Sequence, residues 1–352
     1  MIKSKQFIGW MLAGLIASGA IASCSAQDQA NQNGQAQAKQ AEEVNLTLVS
    51  YAVTQSAYEK IIPQFVEQWK AKTGQDVIFE QSYGGSGSQT RAVIDGLEAD
   101  VVALALALDT KKIEEAGLIE PNWEAELPNK SIVHQSVAAI VKRDDSVKVS
   151  KWSDLTNDGI EVITANPKTS GGARWNYLAL WGSVTQAGES EQAAEAFTEK
   201  IFANVPVLPE DARESTDVFY QQGQGNVLIN YENEVLLAKQ KGEELPYLIP
   251  TDYNISIDSP VAVVDANVDK HGTRKVAQAF SKFLFTPEAQ QEFAKVGFRP
   301  IDPQVNQEFA QQYPPIKKLF TIEDLGGWDK IQKEFFDDGA GFDKMMNKIN
   351  QK

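Results

Sequence analysis

The sequence predicts an α/β protein made of two blocks of similar style, with parallel-rich sheets flanked by helices. Segments with strand character alternate with amphipathic helical segments from residue 44 onward, an alternation typical of parallel sheets covered on both faces. Residues 101–106 form an uninterrupted apolar run, as expected of a strand buried on both faces. Without an export segment, the 352-residue chain is still long enough for two lobes, each with its own core.

The first block shows strand and helix periodicities in turn. Apolar residues recur at helical spacing in residues 56–72, and Gly74 is a typical helix end. The predicted elements are, in order, a strand at 44–51, a helix at 56–72, a short strand at 77–79, a glycine-rich loop at 83–88, a helix at 89–97 and a buried strand at 101–106.

The second block repeats the same pattern. Its predicted strands are at 137–142, 162–165, 226–231 and 257–264. Its predicted helices are a short one opening at 152–155 and longer ones at 173–184, 191–202, 233–241, 273–284 and 288–296.

Charge and rare residues exclude several classes of function. The formal net charge of -15 argues against nucleic acid as a partner, because no basic field would attract phosphates. Cys24 is the single cysteine, so no intrachain disulfide is possible. The two histidines, His134 and His271, are far apart in sequence. The sequence therefore predicts no metal site and no cofactor, although carboxylate side chains could still bind a hard cation.

The N-terminus has the features of a lipoprotein signal peptide. Lys3 and Lys5 precede an apolar stretch, and residues 21–24 read Ile-Ala-Ser-Cys, similar to a bacterial lipobox. We therefore expect residues 1–23 to be removed and Cys24 to be acylated. The composition of residues 24–43 predicts a flexible tether. The tether would connect Cys24 to a folded domain in the periplasm or at the outer face of the cytoplasmic membrane. The alternative is a plain signal peptide with Cys24 incidental.

Two glycine-rich segments, residues 84–88 and 169–173, each follow a predicted strand and precede a predicted helix. Glycine allows close approach to the backbone, and a helix N-terminus offers unpaired N–H groups with a partial positive charge. Together these features predict an anion site that needs no charged side chain. A tight turn followed by a helix cap is the alternative for either loop alone. Neither loop has the spacing of a nucleotide-binding motif.

Enzymatic interpretations have little support in the residues. The chain has no G-x-S-x-G nucleophile motif and only two histidines to act as a base. Adjacent carboxylates such as Asp144 and Asp145 cannot be assigned as an acid–base pair from spacing alone. The sequence predicts a protein that is not an enzyme, with a secreted sulfate- or phosphate-ester hydrolase as the less favoured alternative.

Long motifs around these loops resemble those of a known family. Residues 70–82 (KAKTGQDVIFEQS) and 166–177 (NPKTSGGARWNY) match its two signatures, and 99–109, 231–238 and 319–328 are also similar to it. The chain resembles the prokaryotic sulfate-binding proteins of sulfate/thiosulfate ABC importers from about residue 44 to residue 349.

The resemblance implies a two-lobed periplasmic-binding-protein fold of type II. The first lobe would comprise residues 44–138 and 255–330, the second residues 139–254, with a C-terminal helical segment at 331–352. Two crossover strands would form the hinge. Sulfate would lie in the cleft between the lobes, held by neutral donors without a cationic side chain.

The resemblance also implies which residues hold the anion. They are the backbone N–H of Ala52, the hydroxyl of Ser86, largely the backbone N–H groups of Ser170, Gly171 and Gly172, the N–H of Ala212, and a donor at Tyr231. Ala52 stands where better-known members carry Asp, and Tyr231 where they carry Trp. An indole only donates hydrogen bonds, whereas a phenol donates and accepts, so the second difference bears on anion selectivity.

The expected partners follow from the resemblance. They are sulfate, the membrane subunits of an ABC permease with their cytoplasmic ATPase, and the membrane through the lipid anchor, with the protein itself a monomer. Thiosulfate, in addition to sulfate or instead of it, is the alternative ligand.

Overall fold

A computed structural model describes residues 43–351 of the chain. The predicted signal peptide, the tether up to residue 42 and Cys24 lie outside the described residues. Twelve strands are described: β1 (Val44–Tyr51), β2 (Val77–Gly84), β3 (Val101–Ala103), β4 (Ile132–Ser136), β5 (Ala138–Lys142), β6 (Val162–Ile163), β7 (Val227–Tyr231), β8 (Tyr247–Leu248), β9 (Asn254–Ile255), β10 (Ile257–Val263), β11 (Arg299–Pro300) and β12 (Leu319–Phe320).

The described α-helices connect and cover these strands. They are α1 (Gln55–Thr73), α2 (Ser86–Ile94), α3 (Ala107–Glu115), α4 (Gly171–Thr185), α5 (Glu191–Phe202), α6 (Ala212–Tyr220), α7 (Glu232–Gln240), α8 (Asp265–His271), α9 (Arg274–Phe283), α10 (Pro287–Lys295), α11 (Pro303–Glu308), α12 (Trp328–Ile331) and α13 (Gly341–Asn350). Within residues 43–351, no helix combines the length and the apolar character needed to cross a bilayer.

Two sheets define two lobes. The first lobe contains a six-stranded sheet in the order β11-β4-β10-β3-β1-β2, and the second a four-stranded sheet in the order β6-β7-β5-β8. Parallel pairing joins β1 to its neighbours β2 and β3 and joins β6 to β7. The remaining pairs in both sheets are antiparallel. Both sheets are therefore mixed rather than parallel-rich as predicted, since five of their eight strand pairs are antiparallel.

The first lobe is held together by an apolar helix face against the sheet. Buried Tyr58, Ile61, Phe65 and Trp69 recur on one side of α1, as the sequence periodicity predicts. The ring of Phe65 contacts Phe280 of α9 in a T-shaped arrangement, with ring centroids 5.1 Å apart. Such aromatic contacts contribute beyond their buried area and hold α1 and α9 on the same side of the sheet.

Two predicted boundaries near the first glycine-rich segment are wrong. β2 does not end at residue 79 but continues to Gly84, because it pairs with β1 along its whole length, from Val44 with Val77 to Tyr51 with Gly84. The predicted loop at 83–88 is also shorter than expected, since α2 begins at Ser86 after an extended Gly85. Ser86, Gly87 and Ser88 are therefore the first turn of a helix.

The chain crosses between the two sheets at two adjacent places. β4 of the first sheet passes to β5 of the second through Val137 alone, and the chain returns at β9 and β10. The side chain of Asn254 joins the two crossings, since its Nδ2 donates to the carbonyl of Ala138 at 2.8 Å and its Oδ1 accepts from the Ala138 N–H at 3.2 Å. Two short connections side by side are the geometry of a hinge.

The C-terminal segment packs against the second lobe. Phe320 of β12 lies over Gly182 of α4, where a Cβ atom would be only 2.3 Å from its ring. Further on, Phe342 of α13 contacts Tyr177 of α4, with ring centroids 6.0 Å apart. This packing begins before residue 331, so part of the segment assigned by the resemblance to the first lobe contacts the second.

Candidate anion-binding site

A small cavity lies between the two lobes and is lined by residues of both. All seven residues that the resemblance implies as ligands line it, although they come from five separate segments of the chain. The lining residues are Tyr51, Ala52, Val53, Gly84, Gly85, Ser86, Ala105, Ser170, Gly171, Gly172, Asp211, Ala212 and Tyr231. The structure thus brings every predicted site residue to one place.

Three α-helices begin at this cavity. Ser86, Gly171 and Ala212 are the first residues of α2, α4 and α6. Ala52 opens a 3₁₀ turn that leads into α1. The first N–H groups of a helix have no acceptor within the helix and carry the positive end of its dipole. Four chain segments therefore offer backbone donors to the same small volume, which suits an anion.

Ser170 contributes its side chain. Its backbone N–H is already used, since it donates to the carbonyl of Asn166 at 2.8 Å. The Ser170 hydroxyl oxygen caps α4 by accepting from the N–H of Ala173 at 3.2 Å. This leaves the hydroxyl proton free, so Ser170 presents a hydroxyl donor to the cavity, where the resemblance led us to expect mainly a backbone donor.

Ser86 shows the reverse arrangement. Its hydroxyl donates to Oδ2 of Asp109 at 2.6 Å and accepts from the N–H of Ala105 at 3.0 Å. The single hydroxyl proton is therefore engaged in this structure. The donor that Ser86 offers to the cavity is its backbone N–H at the start of α2.

Tyr231 brings an unpaired hydroxyl group to the cavity. The residue is 1% exposed, and its hydroxyl has no hydrogen-bond partner among the described residues. Burial raises the pKa of this phenol well above its usual value, so the group keeps its proton. A buried hydroxyl without a partner costs about 1–3 kcal/mol, a cost that a bound acceptor would remove.

The cavity contains no cationic side chain among its lining residues. The nearby guanidinium groups are each paired with a carboxylate: Arg174 with Asp109 at 3.2 Å and Arg213 with Glu234 at 2.7 Å. Asp211 is the one carboxylate in the lining, and it caps α6 by accepting from the N–H of Glu214 at 2.9 Å. Any attraction for an anion thus comes from helix ends and neutral donors.

Two buried residues behind the cavity escaped the sequence analysis. Asp109 holds Ser86, and Arg174 extends the contact into the second lobe. Asp109 and Arg174 are 65 positions apart in sequence, and no local pattern pairs them. Asp109 lies in the stretch at 99–109 and Arg174 in the signature at 166–177, so similarity to the family was the available signal for both.

Known proteins match the chain over most of its length. The family described as bacterial extracellular solute-binding protein matches residues 46–299. A sulfate-binding protein of Synechocystis is 62% identical over the whole of both chains. A thiosulfate-binding protein of Pseudomonas aeruginosa is 36% identical, covering 85% of this chain and 91% of its own length.

A solved structure agrees with the sequence comparisons. The sulfate-binding protein of Mycobacterium tuberculosis is 37% identical and superposes with a TM-score of 0.77, covering 84% of this chain and 100% of that one. The fold is that of the type II periplasmic binding proteins. The chain therefore belongs to the bacterial extracellular solute-binding proteins, in the sulfate-binding family that its motifs resemble.

Proposed function

We propose that this chain binds sulfate outside the cytoplasm and delivers it to the permease of an ABC importer. The observation that carries the proposal is the small cavity between the lobes, which is lined by neutral donors from several helix N-termini and by no cation. A chemically inert anion suits such a site, since no activated nucleophile lies in its lining.

The proposed ligands are seven hydrogen-bond donors. Five are backbone N–H groups and two are hydroxyl groups: the N–H groups of Ala52, Ser86, Gly171, Gly172 and Ala212, and the hydroxyls of Ser170 and Tyr231. Donors that are already in place offset the lost hydration of a buried dianion, and hydrogen bonds to charged acceptors are stronger than neutral ones. Helix dipoles spread the compensating charge over many peptide groups.

The structure has the lobes in contact around the cavity. The N–H of Gly87 in the first lobe donates to the carbonyl of Thr169 in the second at 3.0 Å. Trp175 of the second lobe donates through Nε1 to the carbonyl of Ala105 at 2.8 Å. We propose that sulfate favours this closed arrangement because only then do donors of both lobes reach it, with the two crossings near residues 138 and 254 acting as the hinge.

Thiosulfate is the second candidate ligand. It shares the tetrahedral shape and the charge of sulfate, and a relative named for thiosulfate is recognisably similar to this chain. The higher identity to a relative named for sulfate favours sulfate as the preferred anion.

The location also belongs to the proposal. An acylated Cys24 and a polar tether would hold the body at the outer face of the cytoplasmic membrane, close to the permease. We expect a monomer there, which presents both lobes to the membrane subunits while their ATPase works on the cytoplasmic side.

Calorimetric titration with sulfate, thiosulfate, molybdate and phosphate tests the function. Protein stripped of ligand should bind sulfate, and sulfate should raise its melting temperature by mass action on the folded state. No heat and an unchanged melting temperature at saturating sulfate would reject the proposal. Turnover of a sulfate or phosphate ester would instead favour the hydrolase alternative.

The chain offers a matched control for the ligand assignment. Ser170→Ala removes a donor to a charged acceptor and should cost about 1.5–3 kcal/mol of sulfate binding. Ser190 caps α5 by the same contact, accepting from the N–H of Ala193 at 3.2 Å, but it does not line the cavity. Ser190→Ala should therefore weaken the helix cap and leave sulfate binding unchanged.

A further inference from the structure

We infer that Asn230 is the positioning residue that sets Ala212 and Tyr231 at the correct separation for the anion. The inference rests on the proposed function, since it concerns two of the seven proposed ligands. Asn230 itself does not line the cavity. It acts through the two residues that do.

The side chain of Asn230 joins two separate elements of the second lobe. It lies on β7 and is 1% exposed. Its Nδ2 donates to the carbonyl of Ala212, the first residue of α6, at 2.8 Å. Its Oδ1 accepts from the backbone N–H of Tyr231, the last residue of β7, at 2.8 Å. One carboxamide thus spans the gap between two proposed ligands.

The contacts require an amide at this position. A carboxamide is the smallest side chain with both a donor nitrogen and an acceptor oxygen in one rigid plane. Fixing the carbonyl of Ala212 fixes the rotation of the first turn of α6, and therefore the direction of its free N–H groups. Fixing the N–H of Tyr231 sets the backbone from which the buried phenol extends.

A buried network supports the same alignment. Nδ2 of Asn230 also donates to the hydroxyl of Thr216 at 3.0 Å. That hydroxyl donates to Oε2 of Glu234 at 2.8 Å, and Glu234 is paired with Arg213 through two hydrogen bonds. The network ties α6 to α7 on either side of Asn230. Substitutions at neighbouring buried groups of this kind have coupled effects on free energy, so double-mutant cycles can measure the role of Asn230.

The isosteric change Asn230→Asp is the test variant. It keeps the oxygen that faces Tyr231, loses the donor to Ala212 and Thr216, and brings a carboxylate close to a carbonyl and to Glu234. We expect sulfate affinity to fall at least tenfold. The informative measurement is a pair of double-mutant cycles, one with Tyr231→Phe and one with Ser170→Ala.

The two cycles separate positioning from general damage. In the Asn230→Asp background, we expect Tyr231→Phe to lower sulfate affinity much less than it does in the parent protein. The change in log Kd should be less than a third of the change that Tyr231→Phe causes in the parent. Ser170→Ala, on the other loop, should keep its full effect. If both substitutions keep their full effects, or if both lose them equally, the inference is overturned.

Gln290→Glu is a matched control for loss of a buried amide. Gln290 is 0% exposed, its Nε2 donates to the carbonyls of Val133 and Leu284, and its Oε1 accepts from the N–H of Ile301 at 2.8 Å. It does not line the cavity. This variant should lose stability and retain sulfate affinity. Equal losses of affinity in the two amide variants would show that Asn230 is only structural.

The positioning role of Asn230 can also be tested in protein without ligand. This test holds even if the parent fails to bind sulfate, a result that would reject the proposed function but not the positioning role. Amide hydrogen exchange in stripped protein should be faster at Tyr231 and in the first turn of α6 for Asn230→Ser than for the parent. The milder Ser variant also replaces Asp if the latter does not fold. Unchanged exchange at both places would overturn the positioning role.

Discussion

Tyr231 lies so close to Gly172 that a Cβ atom at position 172 would be 2.6 Å from ring carbon Cε2 and 3.0 Å from the phenol oxygen. The two residues come from different elements, β7 and α4, and each lines the cavity. The absence of a side chain at 172 therefore serves two purposes. It allows close approach to the backbone N–H, and it leaves room for the phenol.

Gly172→Ala should displace Tyr231 and weaken sulfate binding by at least tenfold. Alanine is a better helix former than glycine, so helix propensity alone would not destabilise α4. The added methyl group instead meets a fully buried ring, which must move. Titration calorimetry beside thermal melting measures both effects. Parent-like sulfate affinity in this variant would show that the ring moves without consequence.

Replacing Tyr231 tests the basis of selectivity. A site that only donates should reject hydrogen phosphate, because the P–OH proton finds no acceptor. The Tyr231 hydroxyl has no partner among the described residues, so its lone pair is available to that proton. We expect Tyr231→Trp to sharpen the preference for sulfate over phosphate and Tyr231→Phe to weaken sulfate binding. Competition titrations give the ratio; equal ratios in parent and Trp variant would rule out the acceptor role.

His134 should make the protein sensitive to acid. Burial lowers the pKa of this imidazole from 6.5 to about 3. Between these values the unfolded chain binds a proton that the folded chain does not, so stability falls as pH decreases from about 6.5 to 3, by at most about 1.4 kcal/mol per pH unit. His134→Phe should flatten this part of the profile in urea unfolding. An unchanged acid slope would contradict the assignment.

His271 should act in the opposite direction. Its hydrogen bond to Glu98, together with that to Asp100, raises the pKa of its imidazole above 6.5. The stability that protonated His271 contributes is fully present below pH 6.5 and is lost as pH rises through the raised pKa. His271→Gln should reduce the loss of stability on the alkaline side and leave the acid side as in the parent. Urea unfolding of the parent and of the variant at pH 6 to 9 measures this loss of stability.

Cys24→Ser tests the anchor. The variant should no longer incorporate labelled fatty acid, because the acylated thiol is gone, and it should bind sulfate as the parent does. Fractionation of cells should find it free of the membrane. Label remaining on the Cys24→Ser protein would remove the lipoprotein assignment, and lost sulfate binding would show that the tether contributes to the site.

Much of the fold follows from local patterns. The predicted strand at 44–51 and helix at 191–202 have the bounds of β1 and α5, because alternation and helical spacing are properties of the local sequence. The true extent of β2 did not follow, since its last residues are extended only because β1 pairs with them. Long-range pairing of this kind has no local signature.

The sequence by itself determined the family, the presence of a helix after each glycine-rich segment and seven of the residues that line the cavity. Only the tertiary structure decided which atom each residue presents. The proton of Ser86 goes to Asp109, 23 positions away, while that of Ser170 remains free although both are serines at helix starts. The physical reason is that a hydroxyl has one proton, and the choice of acceptor depends on neighbours that the fold, not the chain order, brings within reach.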